Sequence, residues 1–209
     1  MKFIVIIGDV VDSRHLPDRK QFQRRLKQQL AHTSRNAEDL ASPYTITLGD
    51  EFQAVYRSAG SLFADIFGIM AEVHPAHIRV SIGVGKLTTS VNSKQALGMD
   101  GPAFYAAREA LAKMKKLPGL MHISEDGPSS WAMANYGLNF VTRKVQGWER
   151  NRLAVLTALL HGDKIQKIAS MLGISNVAVY KNRNAAALND IVGYCNELTK
   201  ALNGALDSE

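Results

Sequence analysis

The chain has 209 residues, room for one large domain or two small ones, and its 46% hydrophobic and 21% charged content is that of a soluble globular protein. No apolar run approaches the ~20 residues of a membrane-spanning helix, and the single cysteine, Cys195, excludes an internal disulfide and suits a reducing cytoplasm. The formal net charge of +6 points mildly toward an anionic partner.

Phe3 to Ile7 is a continuous apolar, β-branched run, the pattern of a strand buried on both faces. Gly8-Asp9 follows with no small-residue cleavage site, so the opening reads as a first strand and not as a signal peptide. Asp9 and Asp12 sit just past the carboxyl end of that strand, the edge where open α/β sheets place ligands. Pro17 and Asp18 open a helix to about Arg35 with Phe22, Leu26 and Leu30 on one face. Its Lys20, Arg24, Arg25 and Lys27 form either a solvated face or a phosphate-facing one.

Thr45 to Leu48 and Phe52 to Tyr56 are two short β-favouring runs joined by Gly49-Asp50, a strong hairpin signal. The tip carries two carboxylates, Asp50 and Glu51. A helix from about Ser61 to Val73 ends before Pro75, and Ile78 to Gly85 alternates as a strand. Asp100 is the expected N-cap, and Pro102 the first turn, of a helix running to about Lys116. Leu120 to Ser124 is a last short strand. The order β-α-β-β-α-β-α-β predicts an α/β (α+β) domain of ferredoxin-like type over residues 1–126. An all-α domain follows over 127–209, with a helix break near Tyr136-Gly137 or Gln146-Gly147.

Within that second domain, residues 164–184 carry the spacing of a helix-turn-helix. Ala169 is small where a second helix approaches, Gly173 supplies a left-handed turn, Ile174 and Val179 pack the pair, and Ser175 caps the second helix. The sequence resembles the DNA-binding form of that motif, which makes the second helix the recognition helix. Arg143 to Arg183 holds eight Lys/Arg against two acids, enough to neutralise several phosphates. Asn182 and Arg183 are candidates for base edges, Lys167 and Lys181 for phosphates, and Asn176 and Tyr180 complete the exposed set. Readers of this kind pair symmetric half-sites, so a homodimer is expected. An ordinary αα-hairpin is the competing reading.

The first strand and the hairpin tip are expected to share one sheet edge. Carboxylates converging there would repel without a cation, and hard oxygen ligands suit Mg²⁺ or Mn²⁺ and, through them, a phosphate-bearing ligand. Ile-Gly-Asp-Val-Val-Asp-Ser-Arg, Leu-Gly-Asp-Glu-Phe-Gln, Arg-Val-Ser-Ile-Gly-Val-Gly and Asp-Gly-Pro-Ala-Phe-Tyr-Ala-Ala-Arg-Glu-Ala-Leu resemble the SatD family. The same blocks are similar to class III nucleotidyl cyclases and the wider palm-domain group. That likeness implies Asp9 and Asp50 as metal ligands, the carbonyl of Val10 as an accessory ligand, and Arg108 as the arginine that steadies the transition state. Asp12, Arg14 and Glu51 would lie around them, with Arg14 meeting a phosphate or pairing with Asp12. Ile46 and Thr47 stand where cyclases carry a base-selecting lysine, and Phe104 where they carry an asparagine. Those departures weigh against cyclisation more than against nucleotide binding. The expectation is a DNA-binding transcriptional regulator of the SatD type whose palm-like domain binds a nucleotide or metal-phosphate ligand. The alternative is a metal-dependent nucleotide-processing enzyme.

Overall fold

A computed structural model describes residues 1–125 and 131–208. The strand β1 (Lys2–Val10) lies at the centre of a five-stranded sheet ordered β2-β3-β1-β4-β5, with β2 at Leu40–Leu48, β3 at Glu51–Tyr56, β4 at Ile78–Lys86 and β5 at Met121–Glu125. Ile4 to Val10 are buried without alternation, as a strand covered on both faces must be. All neighbours pair antiparallel except β4 with β5. Gly49 takes φ 64° at the tip of the β2–β3 hairpin, as the Gly-Asp turn requires.

Helices cover both faces. On one, α1 (Arg19–Asn36) and α2 (Leu62–Val73) set Phe22, Leu26, Leu30, Phe63 and Ile66 in one buried cluster with Ile4 and Ile6. On the other, α3 (Pro102–Met114) sets Ala103, Phe104, Ala107 and Leu111 over Val5, Ile7 and Val55. Glycines in β4 permit that close approach. A Cβ on Gly83 would meet the carbonyl of Ala103 and come within 2.8 Å of Ala107. Gly101, at φ 142°, is the N-cap of α3. Asp100 does not cap the helix as expected, because its carboxylate instead accepts the Tyr105 hydroxyl at 2.7 Å.

Beyond β5 the chain is helical, with α4 (Ala132–Val145), α5 (Arg150–Leu160), α6 (Ile165–Leu172), α7 (Asn176–Ala185) and α8 (Leu188–Asp207). α4 runs unbroken through Gly137 and ends at the later of the two expected breaks. It seals the open edge of β5. The Asn135 side chain accepts from the Ile123 N–H and donates to the Ile123 carbonyl, both at 2.8 Å, as a neighbouring strand would. α5 packs on α2, and α8 touches β1, β4 and α2. A separate all-α domain was expected here, but the apolar faces of these helices join the buried cluster that already contains α1 and α2. The expected boundary at 126–127 lies outside the described residues. The architecture is thus a mixed five-stranded sheet with eight α-helices among the described residues.

Candidate functional site

Strand register builds the first half of the site. Gly8 faces Phe52 in the β1–β3 ladder, so Asp9 and Glu51, one step further on, project from the same face as Ile7 and Gln53. That is the α3 face. Asp9 also pairs across β1–β4 with Arg79, whose Nη1 lies 3.6 Å from Asp9 Oδ1. Lys115, just past the end of α3, reaches Asp9 Oδ2 at 3.3 Å. Asp9 is 8% exposed, and its Oδ1 accepts no hydrogen bond.

Arg108 descends from the middle of α3 onto the hairpin side of this cluster. Its Nη1 stands 3.8 Å from Glu51 Oε1, and its Nη2 donates to Gln53 Oε1 at 3.4 Å. Gln53 is itself buried and donates to the Ala96 carbonyl, which ties the Lys86–Pro102 connection to β3. The Val11 N–H donates to the His77 carbonyl at 2.9 Å. Odd-numbered residues at this end of β1 therefore bond to β4, and the alternation turns the Val10 carbonyl toward the hairpin side.

The expected acidic group is only partly assembled. Asp9 and Glu51 share a face, whereas Asp50 lies in the hairpin turn with no hydrogen bond or ion pair among the described residues. Asp12 adopts φ 50° at the start of a 3-10 turn over Ser13–His15, and Arg14 is exposed and does not pair with it. Among the described residues no three His, Cys, Asp or Glu side chains converge as metal ligands. Sequence reasoning missed Arg79, Lys115 and Gln53. Arg79 was reachable in principle, since it opens the Arg-Val-Ser-Ile strand that lies antiparallel to β1.

The second candidate region is the α6–α7 pair, which rests on α5 and so lies on the sheet face away from α3. Gly173 takes φ 63°, and the Ser175 hydroxyl accepts from the Ala178 N–H at 3.1 Å. Ile168, Ala169 and Val179 are buried, with Ile174 half-buried against them. Asn176, Tyr180 and Lys181 are exposed. Lys167 is exposed too, but it pairs with Asp163 at 2.6 Å. Asn182 does not face outward. Its amide donates to the Ala178 carbonyl at 3.0 Å and its oxygen accepts from Arg152 Nε at 3.2 Å. Arg183 is half-buried, with its guanidinium 4.7 Å from the centre of the Tyr180 ring.

A polar group inside the core also escaped the sequence reading. The Tyr56 hydroxyl donates to Asp65 Oδ2 at 2.8 Å and lies 3.0 Å from the Tyr44 hydroxyl, while Ser61 donates to the same carboxylate oxygen at 2.7 Å. Burial raises the Asp65 carboxyl above the ordinary carboxylate range, and these two donors only partly oppose that.

No curated protein matches the chain. Among solved structures it is similar to a bacterial light-regulated adenylyl cyclase, with 16% identity and a TM-score of 0.36 over 59% of this chain and 43% of that one. It therefore spans less than half the length of that structure. The SatD family matches over residues 3–189, from the first strand to the start of α8. Nearly the whole fold just described falls inside that span, and the chain belongs to the SatD family.

Proposed function

We propose that the chain is a cytoplasmic, dimeric DNA-binding regulator, with a palm-like half (1–126) that holds a nucleotide or metal-phosphate ligand. DNA would be read by the helical half (127–209) through a helix-turn-helix at 164–184. The observation that carries this reading is the α6–α7 corner. A left-handed Gly173, a Ser175 cap and buried Ala169 and Val179 leave one side of α7 free. On that side Lys181 has no partner among the described residues, so it is the phosphate contact, with Asn176 and Tyr180 beside it. Arg183 and Asn182 support the surface from within, by stacking on Tyr180 and by holding Arg152.

Fluorescence anisotropy on random duplex DNA tests the reading. Binding should weaken as salt rises, and Lys181→Ala should weaken it for all sequences and lower the salt slope by about 1. Binding that Lys181→Ala and Asn176→Ala both leave unchanged would remove α7 from the interface.

A second reading, a metal-dependent nucleotide-processing enzyme, is favoured by the gathering of Asp9, Glu51, Gln53 and Arg108 on one face. The residues fit a divalent ion in one respect: Asp9 Oδ1 is a buried hard oxygen that accepts no hydrogen bond, with the Arg79 guanidinium 3.6 Å away. Asp9, Asp50 and the Val10 carbonyl would hold Mg²⁺ or Mn²⁺, which would supply charge neutralisation for a phosphate. Lys115 must leave Asp9 Oδ2 to admit the ion, and its side chain is half-exposed and free to do so. Arg108, likewise half-exposed, can exchange Glu51 for a phosphate oxygen. Thermal shift with Mn²⁺ and ATP or GTP tests this site. No stabilisation, or stabilisation that survives in Asp50→Ala, would rule it out.

A further inference from the structure

α4 is apolar on two faces. Leu138, Val141 and Val145 are buried against the body of the protein, whereas Met133, Tyr136 and Phe140 are 82%, 75% and 66% exposed. Their spacing of three and four residues lines them up as one stripe. A helix apolar all round is normally covered all round, and a contiguous exposed stripe marks an interaction surface. Among the described residues no other helix presents three large apolar side chains to solvent.

At its carboxyl-terminal end the stripe runs into a groove of about 500 Å³ between α4 and the α7–α8 junction, bordered by Phe140, Trp148, Lys144 and Asp190. Projecting side chains and a receiving hollow therefore lie side by side on one patch. Lys144 extends the same ridge, with its ammonium 5.6 Å from the centre of the Phe140 ring. A twofold interface requires a surface complementary to itself, and this patch carries both halves of each contact.

We propose that the occupant is a second copy of this chain, bound through antiparallel packing of the two α4 helices. With the axis near residue 138, Tyr136 of each copy meets Phe140 of the other. Met133 then reaches toward the opposite groove. The proposal rests on the dimer in the regulator reading and names the surface that forms it. The stripe is independent of α7, so dimerisation and DNA binding can fail separately.

Sedimentation velocity on the full chain over a concentration series tests it. The wild type should dimerise reversibly, and Phe140→Asp should raise the dimer dissociation constant ~10-fold or more with an unchanged melting temperature, since Phe140 is mostly exposed. Met133→Asp should weaken the dimer by a similar factor, since Met133 is 82% exposed and enters the opposite groove. A wild type that stays monomeric at every concentration overturns both the surface and the dimer, and leaves the stripe to a different protein. A dimer that Phe140→Asp leaves intact overturns the surface alone. A dimer that Phe140→Asp weakens but Met133→Asp leaves intact overturns the antiparallel arrangement.

Discussion

Arg79 Nη1 lies 3.6 Å from Asp9 Oδ1, and the two residues are direct partners across the β1–β4 ladder. Their side chains are only 17% and 11% exposed; Asp9 also meets Lys115, whereas Arg79 has no second ion-pair partner among the described residues. Truncating Asp9 therefore strands Arg79. Asp9→Ala should cost about 1–3 kcal/mol, measured by urea denaturation, with or without added nucleotide. Arg79→Met in the same background should recover part of the loss. A neutral Asp9→Ala would mean that the pair contributes nothing to the fold.

Asp50 should behave in the opposite way. It sits in the hairpin turn without hydrogen bonds or ion pairs among the described residues, so Asp50→Ala should change stability by less than about 0.5 kcal/mol. Any stabilisation by Mn²⁺ and a nucleoside triphosphate should nonetheless vanish in it. Comparing the two variants by thermal shift separates a structural carboxylate from a ligand-binding one.

Gly83→Ala tests what holds α3 over the sheet. The added methyl group would meet the Ala103 carbonyl and come within 2.8 Å of Ala107, both in helix backbone packing that has little room to yield. A loss of about 2–3 kcal/mol is expected. The same displacement should loosen Arg108 and Lys115, which α3 carries to the site, so it should also weaken any nucleotide binding. Gly98→Ala offers a contrast, because nothing lies within 4 Å of its Cβ and only its positive φ opposes the change.

Asp65 predicts a pH dependence. Burial raises its folded-state pKa above the 3.8 of an ordinary aspartate, so the native state binds the proton more tightly than the unfolded chain. Its contribution to stability is therefore fully present below pH 3.8 and is lost as pH rises through the folded value. Asp65→Asn removes that titration. Denaturation midpoints of the variant, relative to wild type, should improve as pH rises across this window. A difference independent of pH would show that Asp65 titrates as it does in the unfolded chain.

Gly173→Ala should cost about 1–2 kcal/mol, because φ 63° disfavours any Cβ although no atom crowds it. Gly173→Asn should cost less, since asparagine tolerates that conformation. If the corner orients α7 on DNA, affinity should follow the same order in anisotropy titrations.

Much of the fold was legible in the local pattern. The apolar run at β1, the Gly-Asp turn, the alternation of β4 and the Gly173–Ser175 corner each follow from residue-level preferences, and the structure contains all four. The misreadings have a common cause. Asp100 has the right chemistry for a cap, but the Tyr105 hydroxyl, one helical turn on, takes its carboxylate. Asn182 belongs to a polar helix surface by composition, yet Arg152 of α5 draws it inward. In each case a competing partner decided which way a side chain turned.

The hairpin tip and the end of β1 show where sequence and tertiary structure divide the work. The sequence by itself determined that Asp9 ends a central strand and that Asp50 and Glu51 occupy a tight turn, because strand burial and turn geometry are properties of neighbouring residues. Tertiary structure alone decided that Glu51 shares a face with Asp9 while Asp50 stays in the turn, and that Arg79, Lys115 and Arg108 are the cations over them. Those contacts depend on strand register and on how closely α3 rides on Gly83 and Gly85. A one-residue slip of β1 would send Asp9 to the opposite face, away from Arg79 and Lys115.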